Sequence, residues 1–285
     1  MEVSNEYKYK ITIITATYNS AITLEQTVAS VAQQDYPNIE YIIVDGKSID
    51  GTLDIIRKYE DKINLKWISE PDKGIYDAFN KGVDMATGDY IYFLGSDDAL
   101  CNAHIISDIV AHIEADTDVL SAAIIVVDEK SKKCYPTYNH HALNKEKYIG
   151  GPIPHQGMFV RTSVVKKYKF DSSYTIAADY KFFLQCYYND VVKFKFIDEP
   201  VAFFANNGTS SNLEECFKEN NRIYNELQVP FQNSIVFNLK KYMKIVLLNI
   251  HLLPWFTRLK RQRKIKSLKT KHTCDNKICR WCGRL

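Results

Sequence analysis

Runs of consecutive apolar residues alternate with amphipathic stretches through the first 130 residues. "KITIITAT" (10–17), "IEYIIVDG" (39–46), "LKWISE" (65–70), "DYIYFLG" (89–95) and "DVLSAAIIVVD" (118–128) are rich in β-branched and aromatic residues. Such runs predict strands buried on both faces. Between them, "AITLEQTVASVAQQ" (21–34) places Ile22, Val28, Val31 and Ala32 at helical spacing. "GTLDIIRKY" (51–59) and "GIYDAFNKGVDMA" (74–86) predict two more helices. Strands alternating with helices imply an α/β fold with a largely parallel sheet and helices on both faces.

Beyond residue 130 the alternation fails. "PIPHQGMFVR" (152–161) reads as a loop entering a strand, and "IAADYKFFLQCYY" (176–188) as a helix with Asp179 in its first turn. "VKFKFIDEPVAFF" (192–204) reads as a pair of short strands, and from 211 the chain is helical and then basic. The expected organisation is an α/β half over 8–130, an α+β extension over 131–210, and C-terminal helices with a basic tail over 211–285.

Composition refines this picture at the end of the chain. The 285 residues are 46% hydrophobic with a net charge of +3, an ordinary globular balance. From Arg258 to Arg284, however, there are eleven Lys or Arg and one acid, Asp275. The seven cysteines are odd in number, and the first four lack framework spacing. The start, "MEVSNEYKYK", lacks an apolar core, so a reducing cytosolic setting with free thiols is expected.

Candidate chemistry gathers at strand ends. Thr15, Thr17, Tyr18 and Asn19 end the first strand, Asp45 the second, Glu70 and Asp72 the third, and Asp97 and Asp98 the fourth. Ligands of parallel α/β sheets bind beyond the carboxyl ends of the strands. Any one such residue could simply open a loop or cap a helix; four consecutive strand ends together suggest a cleft. "TATYNSA" after the first strand has no glycine, and no GxxxxGK[ST] loop or GxSxG elbow occurs. Dehydrogenase, NTPase and hydrolase-fold readings therefore lose support. Adjacent acids suit Mg²⁺ or Mn²⁺, which bridge carboxylates to phosphate oxygens.

The stretches "ITIITATYN", "YIIVDGKSIDGT", "ISEPDKGIYDAFNKG", "ATGDYIYFLGSDD", "PHQGMFVR" and "AADYKFFL" lie in this order across residues 10 to 210. In them the chain resembles the inverting family 2 glycosyltransferases of GT-A fold, most closely bacterial members that build lipopolysaccharide, capsule or exopolysaccharide. The resemblance implies a Mn²⁺ or Mg²⁺ cofactor, a nucleotide-sugar donor, with a UDP-sugar expected, and a glycan or lipid-linked acceptor. It implies that Thr15, Ala16, Tyr18, Asp45, Asp72 and Lys73 line the nucleotide pocket, with Asp45 on the base. Asp97 would be the metal-binding acid, with Asp98 supporting the metal or donor sugar. Asp179 would be the catalytic base, and His155 and Gln156 would sit over the acceptor or diphosphate. Two positions depart from the family pattern: Gly95 replaces the first acid of DxD, and "VDGKS" replaces "VDDGS". A catalytically silent sugar-nucleotide-binding paralogue is the alternative, and Gly95 is what favours it.

In the tail, Val236, Leu239, Met243, Val246, Leu247, Ile250 and Leu253 recur at helical spacing, followed by "RLKRQRKIKSLKTK". This suggests a peripheral anchor on anionic lipid at the inner face of the cell membrane. A helix packed on the domain with a solvated tail is the rival reading, and no binding fold supports a nucleic-acid role. His272, Cys274, Cys279 and Cys282 could form a Cys₃His zinc site. Their spacing is not that of a standard ribbon, so free thiols in a frayed terminus are expected.

Overall fold

A computed structural model describes residues 8–138, 144, 145, 148, 153–205, 213–249, 252, 255, 259 and 272–283. Strands β1 (Ile11–Thr17), β2 (Ile39–Asp45), β3 (Leu65–Ser69) and β4 (Tyr90–Phe93) pair in parallel in the order β3-β2-β1-β4. Helices α1 (Leu24–Ala32), α2 (Thr52–Tyr59) and α3 (Ile75–Met85) connect them. Alternate side chains serve two cores. Ile14, Ala16, Ile42, Val44 and Phe93 face the layer that includes α3. Ile11, Ile13, Tyr41, Ile43 and Tyr92 face α1. Both faces are covered, which is why these strands read as unbroken apolar runs.

Two short elements after β4, β5 (Ala99–Leu100) and α4 (Ile105–Ala111), gave no sequence signal. The sheet then continues through β6 (Val119–Val127), β7 (Cys134–Thr137), β8 (Met158–Arg161) and β9 (Phe194–Ala205). Strand β8 is antiparallel to both β4 and β6, and β9 runs parallel to β6. The expected pair of short strands over 192–204 is one strand with register shifts opposite Ser121–Ile124. Pro200, which has no amide proton for the ladder, lies at that irregularity.

Helices α5 (Thr162–Tyr168) and α6 (Ala178–Tyr187) cover the α3 side. The core does not stop near residue 210. Ile223 on α7 (Leu213–Leu227), then Val229 and Phe231, join the same layer as α6, as does Phe237 at the start of α8 (Ile235–Asn249). Residues 272–283 are packed rather than frayed: Cys279 and Trp281 are buried against Ala99, Val127, Phe203 and Ala205. No disulfide joins any of the seven cysteines. The basic run proper lies outside the described residues.

One buried charge ties the sheet together. Glu40 on β2 accepts hydrogen bonds from Thr12 Oγ1 (2.7 Å), the Thr87 amide (2.8 Å), Thr87 Oγ1 (2.8 Å) and Lys66 Nζ (2.7 Å). Burial alone would raise its pKa. These donors, led by Lys66, outweigh burial and hold the carboxyl at about 2.

Candidate active site

The carboxyl ends of β1 and β4 open into a cavity of about 740 Å³, closed on its far side by the segment before β8 and the start of α6. Ala16, Gly95, Asp97, Asp98, His155 and Asp179 all line it. The loops that form its rim are tied to one another. The Asn19 amide donates to Ser48 Oγ (2.8 Å), the Ile49 amide to Asn19 Oδ1 (3.0 Å), and the Ser20 amide to Thr52 Oγ1 (2.8 Å). Ser20 Oγ meets Ser96 Oγ at 3.2 Å, and Thr27 Oγ1 donates to Asp98 O at 2.7 Å. The loops after β1, β2 and β4 therefore hold a common geometry.

Gly95 sits where the two acids converge. A Cβ there would fall 2.6 Å from Asp98 Oδ2 and 3.1 Å from Asp97 Oδ1, so each carboxylate turns one oxygen to the same small space. Asp98 is 1% exposed and accepts the Ala205 amide at 2.9 Å. Burial, then the neighbouring Asp97, pushes its pKa well up. Burial also raises Asp97, against the opposing pull of Arg280.

Across the cavity, His155 Nδ1 lies 2.7 Å from Asp179 Oδ2. Asp179 Oδ1 accepts the Tyr180 amide at 2.8 Å. The Tyr76 hydroxyl stands 3.1 Å from the same oxygen and 2.5 Å from Ile176 O. Burial would raise the Asp179 pKa, but the His155 imidazole, the Tyr180 amide and the Tyr76 hydroxyl prevail and leave it lowered. The turn that presents Asp179 is held from α7. Glu219 is buried and accepts the amides of Thr175 (2.6 Å), Ile176 (2.9 Å) and Ala177 (2.8 Å), capping α6 from outside its own sequence.

A profile of glycosyl transferase family 2 matches residues 12–173, which contain Ala16, Gly95, Asp97, Asp98 and His155 but not Asp179, Ala205, Glu219 or Arg280. The chain belongs to that family. The glycosyltransferase is 31% identical over 214 residues to a PGL/p-HBAD biosynthesis glycosyltransferase of Mycobacterium tuberculosis, covering 70% of this chain and 78% of that one. It superposes on S. aureus TarS 1-349 in complex with UDP-GlcNAc with a TM-score of 0.63 and 25% identity, covering 76% of this chain and 66% of that one. A mannosyltransferase from Pyrobaculum calidifontis, in complex with GDP-Man and Mn²⁺, shares the fold over 93% of this chain and 82% of its own (TM-score 0.61, 18% identity). The mixed, mostly parallel sheet is thus of GT-A type.

The other residues expected at the enzyme's site fall into two groups. Tyr18 is 61% exposed beside Gly46, where a Cβ would meet Asp72 Oδ2 at 2.6 Å and the Tyr18 ring at 3.3 Å. These three make an open platform at the ends of β1 and β2. Lys73 follows on the exposed edge, its amide donating to Asp77 Oδ2 at 3.1 Å. Thr15 and Asp45, by contrast, are fully buried. Thr15 Oγ1 donates to Leu94 O at 2.8 Å, because strand alternation turns it away from the Ala16 side. Asp45 accepts from the Ser48 amide (2.9 Å), Ser48 Oγ (2.5 Å) and Ser69 Oγ (2.6 Å), which makes it the anchor of the loop after β2.

The sequence reading missed Glu219, the bond from Tyr76 to Asp179, and Arg280, which donates to Asp97 O at 2.9 Å. For Tyr76 a signal existed in its place one residue into α3, beside the cleft. For the other two, separations of 42 and 183 residues left none.

Proposed function

We propose that this glycosyltransferase inverts configuration at the anomeric carbon, taking its sugar from a nucleotide-diphosphate donor, a UDP-sugar, for a hydroxyl of a glycan or lipid-linked acceptor. The observation that carries the reading is the presence of two acid groups in one cavity: Asp97 with Asp98 after β4, and Asp179 at the start of α6 with His155 before β8.

On the donor side, the Tyr18 ring offers a stacking face for the base and Asp72 an acceptor for its N–H groups. The space beside Gly95 fits a hard divalent cation: two carboxylates, raised in pKa by burial, turn oxygens toward it. Asp97 and Asp98 would hold that ion, Mn²⁺ or Mg²⁺. When bound it offsets the negative charge gathering on the diphosphate leaving group. Glycine at 95 leaves this space open, which supports an active enzyme over a silent paralogue.

On the acceptor side, Asp179 is ionised at neutral pH and able to take a proton. As the acceptor oxygen bonds to the anomeric carbon from the face opposite the diphosphate, its proton passes to Asp179, and the electron pair of the breaking C–O bond leaves with the diphosphate. His155 steadies the carboxylate through Oδ2, while Tyr76 and the Tyr180 amide fix Oδ1.

A lipid-linked acceptor fits the exposed side of α8. Ile235, Val236, Leu239, Tyr242, Met243 and Val246 are all exposed there at helical spacing. Lys240 and Lys244 border the stripe, so the helix can lie on an anionic surface, as expected at the inner face of a cell membrane. Among the described residues no helix is long and apolar enough to cross a membrane.

The direct test incubates the enzyme, Mn²⁺ and radiolabelled UDP-, GDP- or dTDP-sugars with lipid-linked and soluble glycan acceptors, and reads product anomeric configuration by NMR. Transfer with inversion from a UDP-sugar is expected. Retention, or no transfer with donor binding intact, refutes the proposal.

A further inference from the structure

A cluster of ligating side chains lies in the segment that Arg280 ties to the Asp97 loop. The ligand atoms of His272, Cys274, Cys279 and Cys282 all fall within 4.8 Å of one another. Cys274 Sγ and Cys282 Sγ are 3.7 Å apart, and Cys279 Sγ is 3.3 Å from His272 Nε2. A disulfide needs sulfurs about 2.0 Å apart, so 3.7 Å is no S–S bond. It is instead the edge of a coordination tetrahedron. With Zn–S near 2.3 Å and Zn–N near 2.0 Å, tetrahedral geometry sets S···S at about 3.8 Å and S···N at about 3.5 Å.

The surroundings point the same way. His272 is 5% exposed and Cys279 fully buried. The imidazole sits edge-on to Phe203 (4.3 Å between centroids) and Trp281 (5.2 Å). Its Nδ1 is buried without a hydrogen-bond partner among the described residues, so the ring's polar contact there is Nε2 at Cys279 Sγ, inside the cluster. Thiols and an imidazole brought together in an apolar shell are unfavourable unless something binds them.

We propose that His272, Cys274, Cys279 and Cys282 bind one Zn²⁺ in a closed, structural Cys₃His site that fastens residues 272–283 behind the Asp97 loop. Three sulfur donors select a soft or borderline metal, not the Mg²⁺ or Mn²⁺ suited to Asp97 and Asp98. Four protein ligands leave no open position, which marks the ion as structural.

The fastened segment grips both neighbours of the site. Asn276 Nδ2 donates to Leu100 O (2.9 Å), the Arg280 amide to Gln26 Oε1 (2.9 Å), and the His272 amide to Lys132 O (2.8 Å). Arg280 Nη2 reaches Asp97 O (2.9 Å) and Glu129 (2.6 Å), and Trp281 Nε1 shares Glu129 at 2.9 Å. The zinc thereby holds Arg280 against the backbone of the residue that faces the donor.

The test uses the full, tag-free chain purified under reducing conditions. One equivalent of zinc by elemental analysis is expected, released by a thiol-modifying mercurial and followed with a zinc dye. Cobalt reconstitution should give the intense thiolate-to-metal charge-transfer bands of a tetrahedral S₃N site. Chelator removal of zinc should lower the thermal midpoint, and zinc, but not magnesium, should restore it. Asp97→Asn should keep its zinc, which separates this site from the donor-side ion and from the proposed transfer reaction. Cys279→Ser and Cys282→Ser should lose zinc. If either fails to fold, the cobalt spectrum of the unsubstituted chain decides the matter. Sub-stoichiometric zinc after zinc loading, a cobalt spectrum without thiolate bands, or a disulfide among these cysteines in the reduced preparation would overturn the proposal.

Discussion

Asp179→Asn separates the chemical step from everything else the site does. Asn keeps the shape of Asp179 and can accept the Tyr180 amide and Tyr76 hydroxyl at its oxygen. It loses the charge facing His155 at 2.7 Å and the ability to take a proton. A positioned base contributes roughly 10²–10⁴ in rate, which is about 2.7–5.4 kcal/mol at 1.36 kcal/mol per decade. The cost to folding is smaller. Asp179 lies in the first turn of α6, where a favourable dipole interaction is worth about 0.3–1 kcal/mol. Because Asp179 bonds Tyr76, Tyr180 and His155 rather than Tyr18, Asp72 or Asp97, donor affinity should hold. Turnover measured at saturating donor and acceptor should fall 10²–10⁴-fold, with donor Kd by calorimetry within about twofold and the thermal midpoint within a few degrees. The wild-type pH profile is constrained too. The lowered pKa keeps Asp179 ionised down to below the ordinary carboxylate value, so it should contribute no acid limb between pH 5.5 and 8. A variant with full turnover, or one that loses donor binding in proportion to rate, refutes the assignment.

Tyr76→Phe should lower turnover roughly 10- to 150-fold with donor KM unchanged, since a hydrogen bond to a charged group is worth about 1.5–3 kcal/mol; an altered KM with normal kcat would count against a positioning role. Glu40→Gln should destabilise the enzyme near neutral pH. The shift from 4.5 to about 2 corresponds to about 3.4 kcal/mol, reduced to ~2 kcal/mol because Lys66 is half exposed. Since the folded pKa is depressed, that stability is present above about 4.5 and is lost as pH falls toward 2. The gap between wild type and variant in urea titrations should therefore close on acidification, and a gap independent of pH contradicts the account. Leu239→Asp with Met243→Asp should leave the thermal midpoint unchanged, because both side chains are exposed. It should also weaken co-sedimentation with anionic vesicles roughly 100-fold; unchanged sedimentation removes α8 from the membrane reading.

The parallel half of the fold was legible because strands covered on both faces carry long apolar runs, as Tyr41–Val44 of β2 and all of β4 do. The misreading of β9 came from "IDEP", which carries turn chemistry yet forms an irregularity inside one strand. At the site, acids at strand ends could be located but not assigned orientations. Asp97 and Asp45 look alike in sequence, but one lines the cavity and the other is saturated by Ser48 and Ser69. Residues 272–283 were opaque for a different reason. Ligand spacing outside the standard ribbons carries little information until the tertiary fold brings the four side chains together.

The cap on α6 sets an order in time. Glu219 lies 42 to 44 residues downstream of the amides it binds. During synthesis the strands and loops of the donor wall, complete by Leu100, leave the ribosome long before α7 does. Domains tend to form from the N-terminus as the chain emerges. A nascent chain can therefore build the donor wall while the turn before Asp179 is still unfixed, and the base proposed there waits for a helix beyond the family match at 12–173 to dock.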